Sequence, residues 1–193
     1  MATPRRMQIS TLVNFVYDDE VLLPVRMSAA RTVSGASGPA TVGALVRLLI
    51  CSAQMCVPAR AQLSLSLPVK NQTPGTDPRV AQLFSAARAG LPKPAPAGWR
   101  FTWREDKSSF VLKAYAGRAI SSAYFFPLDE SVIDTGAKEA FAPSAAGFQL
   151  TLRKSDQLMK RVSRLRGVLV LADRQAYLVD VPAGAAGGNR AGS

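Results

Sequence analysis

Two cysteines separated by four residues, Cys51 and Cys56, are the side chains of this 193-residue chain whose type and spacing predict covalent chemistry. A thiol pair exchanges disulfides when one sulfur is accessible and the second lies close enough to displace the bound partner. The chain contains no histidine, which excludes Ser/His/Asp and Cys/His triads and most zinc sites. Two thiols alone do not complete a tetrahedral zinc site. We therefore expect no metal site.

The residues around the cysteines predict a β-hairpin with one thiol on each side of its turn. Residues 41–50 lead directly into Cys51 and predict a strand that is strongly buried at Leu45, Val46, Leu48, Leu49 and Ile50. Residues 62–67 alternate polar and apolar, which predicts the returning strand. Opposite residues in such a pair have Cα atoms about 4.5–5.5 Å apart, within the range that a disulfide tolerates.

A disulfide at this position is either structural or reactive. A bridge closing a loop of about six residues removes chain entropy worth only about 2 kcal/mol, against about 4–5 kcal/mol for a long-range bridge. Cys51 continues an apolar strand and should be shielded, whereas Cys56 lies beyond the turn and is the better candidate for attack. Arg47 and Arg60 could favour a thiolate, or they could be solvated strand positions.

The amino-acid composition narrows the classes of molecule that this chain could bind. The formal net charge of +11 raises nucleic acid as a partner. The densest basic stretch, residues 153–166, is interrupted by acidic, polar and apolar residues and lacks aromatic side chains on which bases would stack. We therefore expect a solvated basic face and no nucleic acid. No apolar run reaches the about 18 residues of a membrane helix, and no signal peptide is visible at the start.

Short strand signals separated by Pro, Gly, Ser and Asp predict an all-β chain. In the first part, residues 15–17 and 21–25 predict two strands joined by an acidic turn, ahead of the cysteine hairpin. The exception to the strand pattern is a helix over residues 78–90, with Asp77 as its N-cap and Gly90 after its last turn. Its apolar face, expected to pack against a sandwich, comprises Val80, Leu83, Phe84 and Ala87.

Strand signals resume after a Pro-rich stretch at residues 91–98 and predict a second β-sandwich. The predicted strands are 99–104, 110–116, 122–126, 148–152, 167–171 and 176–181. The aromatic residues Trp99, Trp103, Tyr124, Phe125 and Phe126 are expected in its core. The predicted organisation is a cysteine-bearing domain at 1–70, a linker at 71–98 that holds the helix, a second domain at 99–182 and a disordered tail at 183–193.

Residues 49–68 resemble the cysteine hairpin of the periplasmic N-terminal domain of the DsbD/ScsB family of thiol:disulfide interchange proteins. Three further stretches resemble the same family. Residues 15–25 resemble its preceding strand pair, and residues 80–92 resemble the helix of its ScsB-like branch. Residues 124–129 together with 165–171 resemble the second β-domain of that branch.

The resemblance implies two small immunoglobulin-like β-sandwich domains joined by the short helix and the Pro-rich linker. It implies a periplasmic protein-disulfide reductase module without a cofactor, which takes electrons from a thioredoxin-like domain. The recipients are disulfide isomerases, cytochrome c maturation proteins or related thioredoxin-like partners. Cys56 would form the mixed disulfide with a partner and Cys51 would resolve it. Family strands would precede Met1, and the family's membrane and thioredoxin-like domains are not in this chain.

The sequence also permits two other interpretations. The first is a non-catalytic, immunoglobulin-like binding module in which Cys51 and Cys56 form an inert bridge. The second is a basic nucleic-acid-binding protein, whose retention on DNA would depend steeply on salt.

Overall fold

The computed structural model describes residues 3–9, 12–28, 38–52, 54–69 and 75–184. These residues form twelve strands and one helix, so the predicted all-β class is confirmed. The chain divides into a first unit within Arg6–Ala89 and a second unit within Gly90–Ser193. The tail predicted to be disordered falls mostly outside the described residues, because the description ends at residue 184.

The first unit is dominated by one long hairpin. Strand β3 (Pro39–Cys51) pairs antiparallel with β4 (Cys56–Pro68), residue for residue from Pro39 opposite Pro68 to Cys51 opposite Cys56. Two shorter strands, β1 (Arg5–Ile9) and β2 (Leu12–Val16), form a separate two-stranded sheet. The predicted hairpin and the positions of its cysteines beside the turn are therefore confirmed.

Alternation of side chains gives the hairpin two different surfaces. The first surface, here named the cysteine face, carries Cys51 and Cys56 and, farther from the turn, the pairs Leu49/Pro58, Arg47/Arg60 and Leu45/Gln62. The second, here named the apolar face, consists of six pairs of aliphatic residues. These pairs are Ile50/Val57, Leu48/Ala59, Val46/Ala61, Ala44/Leu63, Val42/Leu65 and Ala40/Leu67.

The strand predicted over residues 41–50 forms, but the prediction that its apolar residues between Leu45 and Ile50 are strongly buried is wrong. Leu45, Leu48, Leu49 and Ile50 are all exposed, and only Val46 among the aliphatic residues of this run is half-buried. The reason is topological, because β3 has β4 as its one strand neighbour among the described residues. A two-stranded ribbon has no second layer of its own to cover its faces.

One of the two short strands predicted before the hairpin is also absent. Phe15 and Val16 lie in β2 as expected, but residues 21–25 have no regular secondary structure and are mostly exposed. Asp19 adopts a positive φ of 55°, which ends the extended chain in the acidic turn. Pro24 lacks the N–H that a strand needs for ladder hydrogen bonds.

The helix forms where its start signals predict it. Helix α1 (Pro78–Ala89) ends one residue before the predicted position, and Gly90 follows it. The Asp77 carboxylate accepts the Arg79 backbone N–H at 2.8 Å, and the Asp77 carbonyl accepts that of Ala81 at 2.9 Å. Its predicted apolar face is only partly covered, since Phe84 and Ala87 are half-buried whereas Val80 and Leu83 are exposed.

The second unit is a sandwich of two four-stranded sheets. One sheet has the order β6-β7-β10-β9 and the other β5-β12-β11-β8. The strands are β5 (Lys93–Pro94), β6 (Arg100–Glu105), β7 (Ser109–Tyr115), β8 (Ala123–Pro127), β9 (Ala140–Ser144), β10 (Gly147–Arg153), β11 (Arg164–Leu171) and β12 (Ala176–Pro182). All six strands predicted for this domain are present, with ends displaced by at most three residues.

A single core fills the second unit. Its fully buried large side chains come from both sheets: Phe110, Leu112, Leu150 and Leu152 from one, and Phe125, Leu165, Leu169 and Val179 from the other. Trp99, Trp103, Phe125 and Phe126 are buried and Tyr124 is half-buried. The expectation that these aromatic residues form core is confirmed for Trp99, Trp103 and Phe125, whereas Tyr124 and Phe126 contact each other outside the core cluster.

Part of the predicted Pro-rich linker packs with the second unit. Lys93 and Pro94 pair in parallel with Tyr177 and Leu178 of β12, and Ala95 is buried in the core. The other strand of the second unit that sequence did not predict, β9, lies at a sheet edge and is mostly exposed. Pro143 is tolerated there because an edge strand need not donate every backbone N–H to a neighbour.

Candidate redox site at the hairpin tip

The turn that carries the candidate site is held by one serine. The backbone N–H of Ser52 donates to the carbonyl of Met55 at 2.8 Å. Its hydroxyl oxygen accepts the N–H groups of Gln54 and Met55, each at 3.2 Å. A serine hydroxyl that accepts backbone donors two and three residues ahead fixes a tight turn. Ser52 therefore holds Gln54 and Met55 in place beside the two cysteines.

Cys51 and Cys56 form a disulfide, with bonded sulfurs 2.04 Å apart and Cα atoms 4.0 Å apart. They occupy directly opposite positions at the end of the β3–β4 ladder. The hydrogen bond between Ser52 and Met55 makes the adjacent Cys51/Cys56 position a non-hydrogen-bonded pair, in which the Cα atoms of an antiparallel ladder approach most closely. The hairpin thus brings both sulfurs together without any contribution from distant segments.

The same alternation explains a proline inside a long strand. Counting from the non-hydrogen-bonded Cys51/Cys56 pair, the Leu49/Pro58 and Arg47/Arg60 pairs are also non-hydrogen-bonded. Pro58 has no N–H to donate and occupies a position where the ladder requires none. All the pairs nearest the disulfide on the cysteine face therefore have closely spaced side chains.

The cysteines are half-buried and lie beside an exposed apolar pair. On the cysteine face the next pair along the hairpin is Leu49/Pro58, in which Leu49 is 58% exposed and Pro58 is also exposed. The expected asymmetry, with Cys51 shielded by a buried strand, does not arise because that strand is itself exposed. Burial places the two cysteines in the same class, so the choice of Cys56 as the attacked sulfur rests on the resemblance.

Two arginines are the charged residues closest to the disulfide along the hairpin. Arg47 and Arg60 lie opposite each other, each four residues from a cysteine, and both are exposed. Four residues of strand span about 13 Å, which is longer than the about 8 Å Debye length at physiological salt. At this spacing the guanidinium groups act chiefly on whatever docks against the cysteine face, and little on the sulfurs themselves.

A cavity rich in basic residues lies in the second unit. Five basic residues and two acidic residues line a cavity of about 710 Å³: Lys107, Arg153, Lys154, Lys160, Arg161, Glu105 and Asp156. Part of its charge is neutralised internally, since Lys154 pairs with Glu105 at 2.7 Å and Arg153 with Asp134 at 3.5 Å. Among the described residues that line it there is no aromatic side chain for stacking bases.

The described part of the chain contains no group of three or more metal-ligating side chains, and no helix in it is long and apolar enough to cross a membrane. Comparisons with protein-family models, with curated proteins and with solved structures found no match to this chain.

Proposed function

We propose that this chain is a periplasmic thiol:disulfide exchange module of a protein-disulfide reductase. It receives electrons from a thioredoxin-like domain and passes them to disulfide isomerases or cytochrome c maturation proteins. The observation that carries the proposal is the Cys51–Cys56 disulfide at the tip of a hairpin, half-exposed and bordered by exposed apolar side chains. The resemblance to the DsbD/ScsB family supports the direction of electron flow and the compartment.

The reaction needs only sulfur chemistry. A thiolate of the electron donor attacks the sulfur of Cys56, the Cys51–Cys56 bond breaks, and Cys51 leaves as a thiolate that takes a proton from water. The donor's second thiolate then attacks the donor's first sulfur, which is bonded to Cys56 in the mixed disulfide. This attack releases Cys56 as a thiolate and leaves the donor with a disulfide. The reduced pair transfers the two electrons onward when Cys56 attacks a disulfide of the recipient and Cys51 resolves the product.

The placement of the bridge argues against a purely structural role. Cys51 and Cys56 close only the short turn that Ser52 already organises, so the bridge adds about 2 kcal/mol at most through loop closure. A structural disulfide is most effective when it joins segments distant in sequence. The competing function is a binding module in which the bridge is inert. Reduction of the native disulfide by a thioredoxin-like protein distinguishes the two functions.

The decisive experiment traps the mixed disulfide. The Cys51→Ser and Cys56→Ser variants are each activated as the thionitrobenzoate mixed disulfide and mixed with a thioredoxin-like protein that retains only its attacking cysteine. Release of thionitrobenzoate gives the rate, and a non-reducing gel shows the adduct. We expect Cys51→Ser to react about tenfold faster, because its remaining sulfur is the one that partners attack.

Two results would contradict the proposal at different levels. Equal rates for the two serine variants would overturn the assignment of roles to Cys56 and Cys51. A wild-type disulfide that neither mild dithiothreitol nor a reduced thioredoxin-like protein opens in the native state would instead establish the inert bridge of a binding module.

A further inference from the structure

An uncompensated pair of arginines lies on the same face as the disulfide. Arg47 and Arg60 are directly opposite each other in β3 and β4, and alternation places them on the cysteine face. Like charges in opposite positions destabilise a sheet. The hairpin itself, residues 38–69, contains no aspartate or glutamate, and among the described residues neither arginine forms an ion pair.

The ladder brings these two side chains as close as a sheet allows. In a non-hydrogen-bonded pair the Cα atoms are about 4.5 Å apart, and the side chains leave the sheet on the same side. Two guanidinium groups side by side form a fork that matches a carboxylate, or two neighbouring carboxylates, through charge-assisted hydrogen bonds. Such a pair loses its mutual repulsion when an anionic group binds between or above the two arginines.

The surface between the arginines and the disulfide is apolar. Leu49 is 58% exposed, and its opposite residue Pro58 is also exposed. From the turn outward, the cysteine face therefore carries the disulfide, then the apolar pair Leu49/Pro58, and then the two arginines about 13 Å from the sulfurs. A partner that lies along this face would present its reactive cysteine, an apolar side chain and an acidic group in the same order.

We propose that the cysteine face selects partners whose reactive cysteine is followed by an apolar residue and by carboxylates that bind Arg47 and Arg60. This inference rests on the proposed function and names its partner class, a thiol protein with an acidic segment beside its cysteine. Charge complementarity of this kind raises the rate of encounter and fixes the register of docking.

The test compares two synthetic peptides of one length, each with a single cysteine and a leucine two residues later. The acidic peptide continues with two glutamates and the basic peptide with two lysines. Each peptide thiol reacts with the full chain carrying Cys51→Ser, activated at Cys56 as the thionitrobenzoate disulfide. At low salt we expect the acidic peptide to react about tenfold faster, with the preference falling as salt is added.

Charge variants assign this preference to the two arginines. The Arg47→Glu/Arg60→Glu protein should reverse the preference, and Arg47→Gln/Arg60→Gln should reduce it. An equal change of net charge at exposed positions away from the hairpin, Arg26→Glu/Arg79→Glu, should leave most of the preference intact. Circular dichroism verifies that each variant keeps its strand content, and the glutamine pair provides a test if the charge reversal disturbs folding.

Either of two outcomes overturns the inference: a preference retained in Arg47→Glu/Arg60→Glu, or an equal loss in Arg26→Glu/Arg79→Glu, which would attribute it to net charge alone. Because Cys56 is chemically activated in every arm, these outcomes do not depend on reduction of the native disulfide. A native disulfide that resists thioredoxin-like proteins would refute the proposed function, even if the peptide preference remained.

Discussion

The indole N–H of Trp103 donates a hydrogen bond to the backbone carbonyl of Val181 at 2.8 Å in the interior of the second unit. Trp103 lies in β6 and Val181 in β12, so this bond joins the two sheets of the sandwich. The ring also meets Phe110 edge-on, with centroids 5.5 Å apart. One side chain therefore combines inter-sheet packing with the satisfaction of a buried carbonyl.

Replacing Trp103 by phenylalanine should destabilise the second unit by about 2 kcal/mol, because the Val181 carbonyl loses this donor and the smaller ring leaves a void. Urea unfolding, followed by the fluorescence of the remaining Trp99, measures the loss. The control variant is Tyr115→Phe, which removes a polar group from an exposed ring and should change stability by less than about 0.5 kcal/mol. Equal effects of the two variants would contradict a special role for Trp103.

Gly167 has no room for a side chain. A Cβ atom at this position would lie 2.1 Å from the ring of Phe125 in the neighbouring strand β8, which is buried in the core. Gly167→Ala should therefore destabilise the second unit by about 1–3 kcal/mol through overpacking. The double variant Gly167→Ala/Phe125→Leu should lose less than the sum of the two single variants. Strict additivity in the urea-unfolding cycle would show that the ring does not cause the effect.

The ion pair between Arg166 and Asp129 should make stability depend on pH. The hydrogen bond from Arg166 lowers the pKa of the Asp129 carboxyl below its usual value of 3.8. A carboxyl whose pKa is lower in the folded state contributes its stabilisation above the unfolded value and loses it as pH falls through the folded value. The difference in urea midpoint between wild type and Asp129→Asn should thus be constant from pH 7 to about 5 and shrink below about 4.

The neighbouring variant Glu130→Gln removes an equal charge and is the control for Asp129→Asn. The side chains of Arg166 and Asp129 are 51% and 30% exposed, so the effect of their ion pair will be small at neutral pH. A difference that grows on acidification would contradict the sign of this prediction.

Removing the disulfide should cost the first unit little. The Cys51→Ser/Cys56→Ser variant opens only the turn held by Ser52, so we expect a loss of about 2 kcal/mol or less and an unchanged far-ultraviolet circular dichroism spectrum. The tryptophans Trp99 and Trp103 both lie in the second unit, so its fluorescence transition should not move. Collapse of the strand signal on reduction would show that the bridge is structural.

The sequence predicted the positions of the strands more accurately than the burial of their side chains. Short runs of strand-forming residues identified the six main strands of the second unit. The apolar residues before Cys51 and the alternation at residues 62–67 identified the two strands of the cysteine hairpin. Strand β9 was not predicted because its residues Ala140–Ser144 are mostly small and include a proline. Such a segment can be assigned as an edge strand only when its pairing with β10 is known. The short pairing of Lys93 and Pro94 depends equally on β12.

Burial was the property that local sequence predicted least well. The apolar run ending at Cys51 is chemically like a core strand, yet Leu48 and Ile50 are exposed because burial depends on what covers a face and not on the residues in it. For the candidate site, sequence predicted the disulfide partners and the hairpin. It did not predict that Arg47 lies opposite Arg60, since that relationship needs the register.

The disulfide is compatible with only one register of the hairpin. If β4 slid by a single residue along β3, every side chain of one strand would change sides, and the six aliphatic pairs would be mixed with arginine, glutamine and serine. The sulfurs would then point away from each other and could not bond. The Cys51–Cys56 bond is thus compatible only with the one alignment that separates aliphatic residues from polar and charged residues.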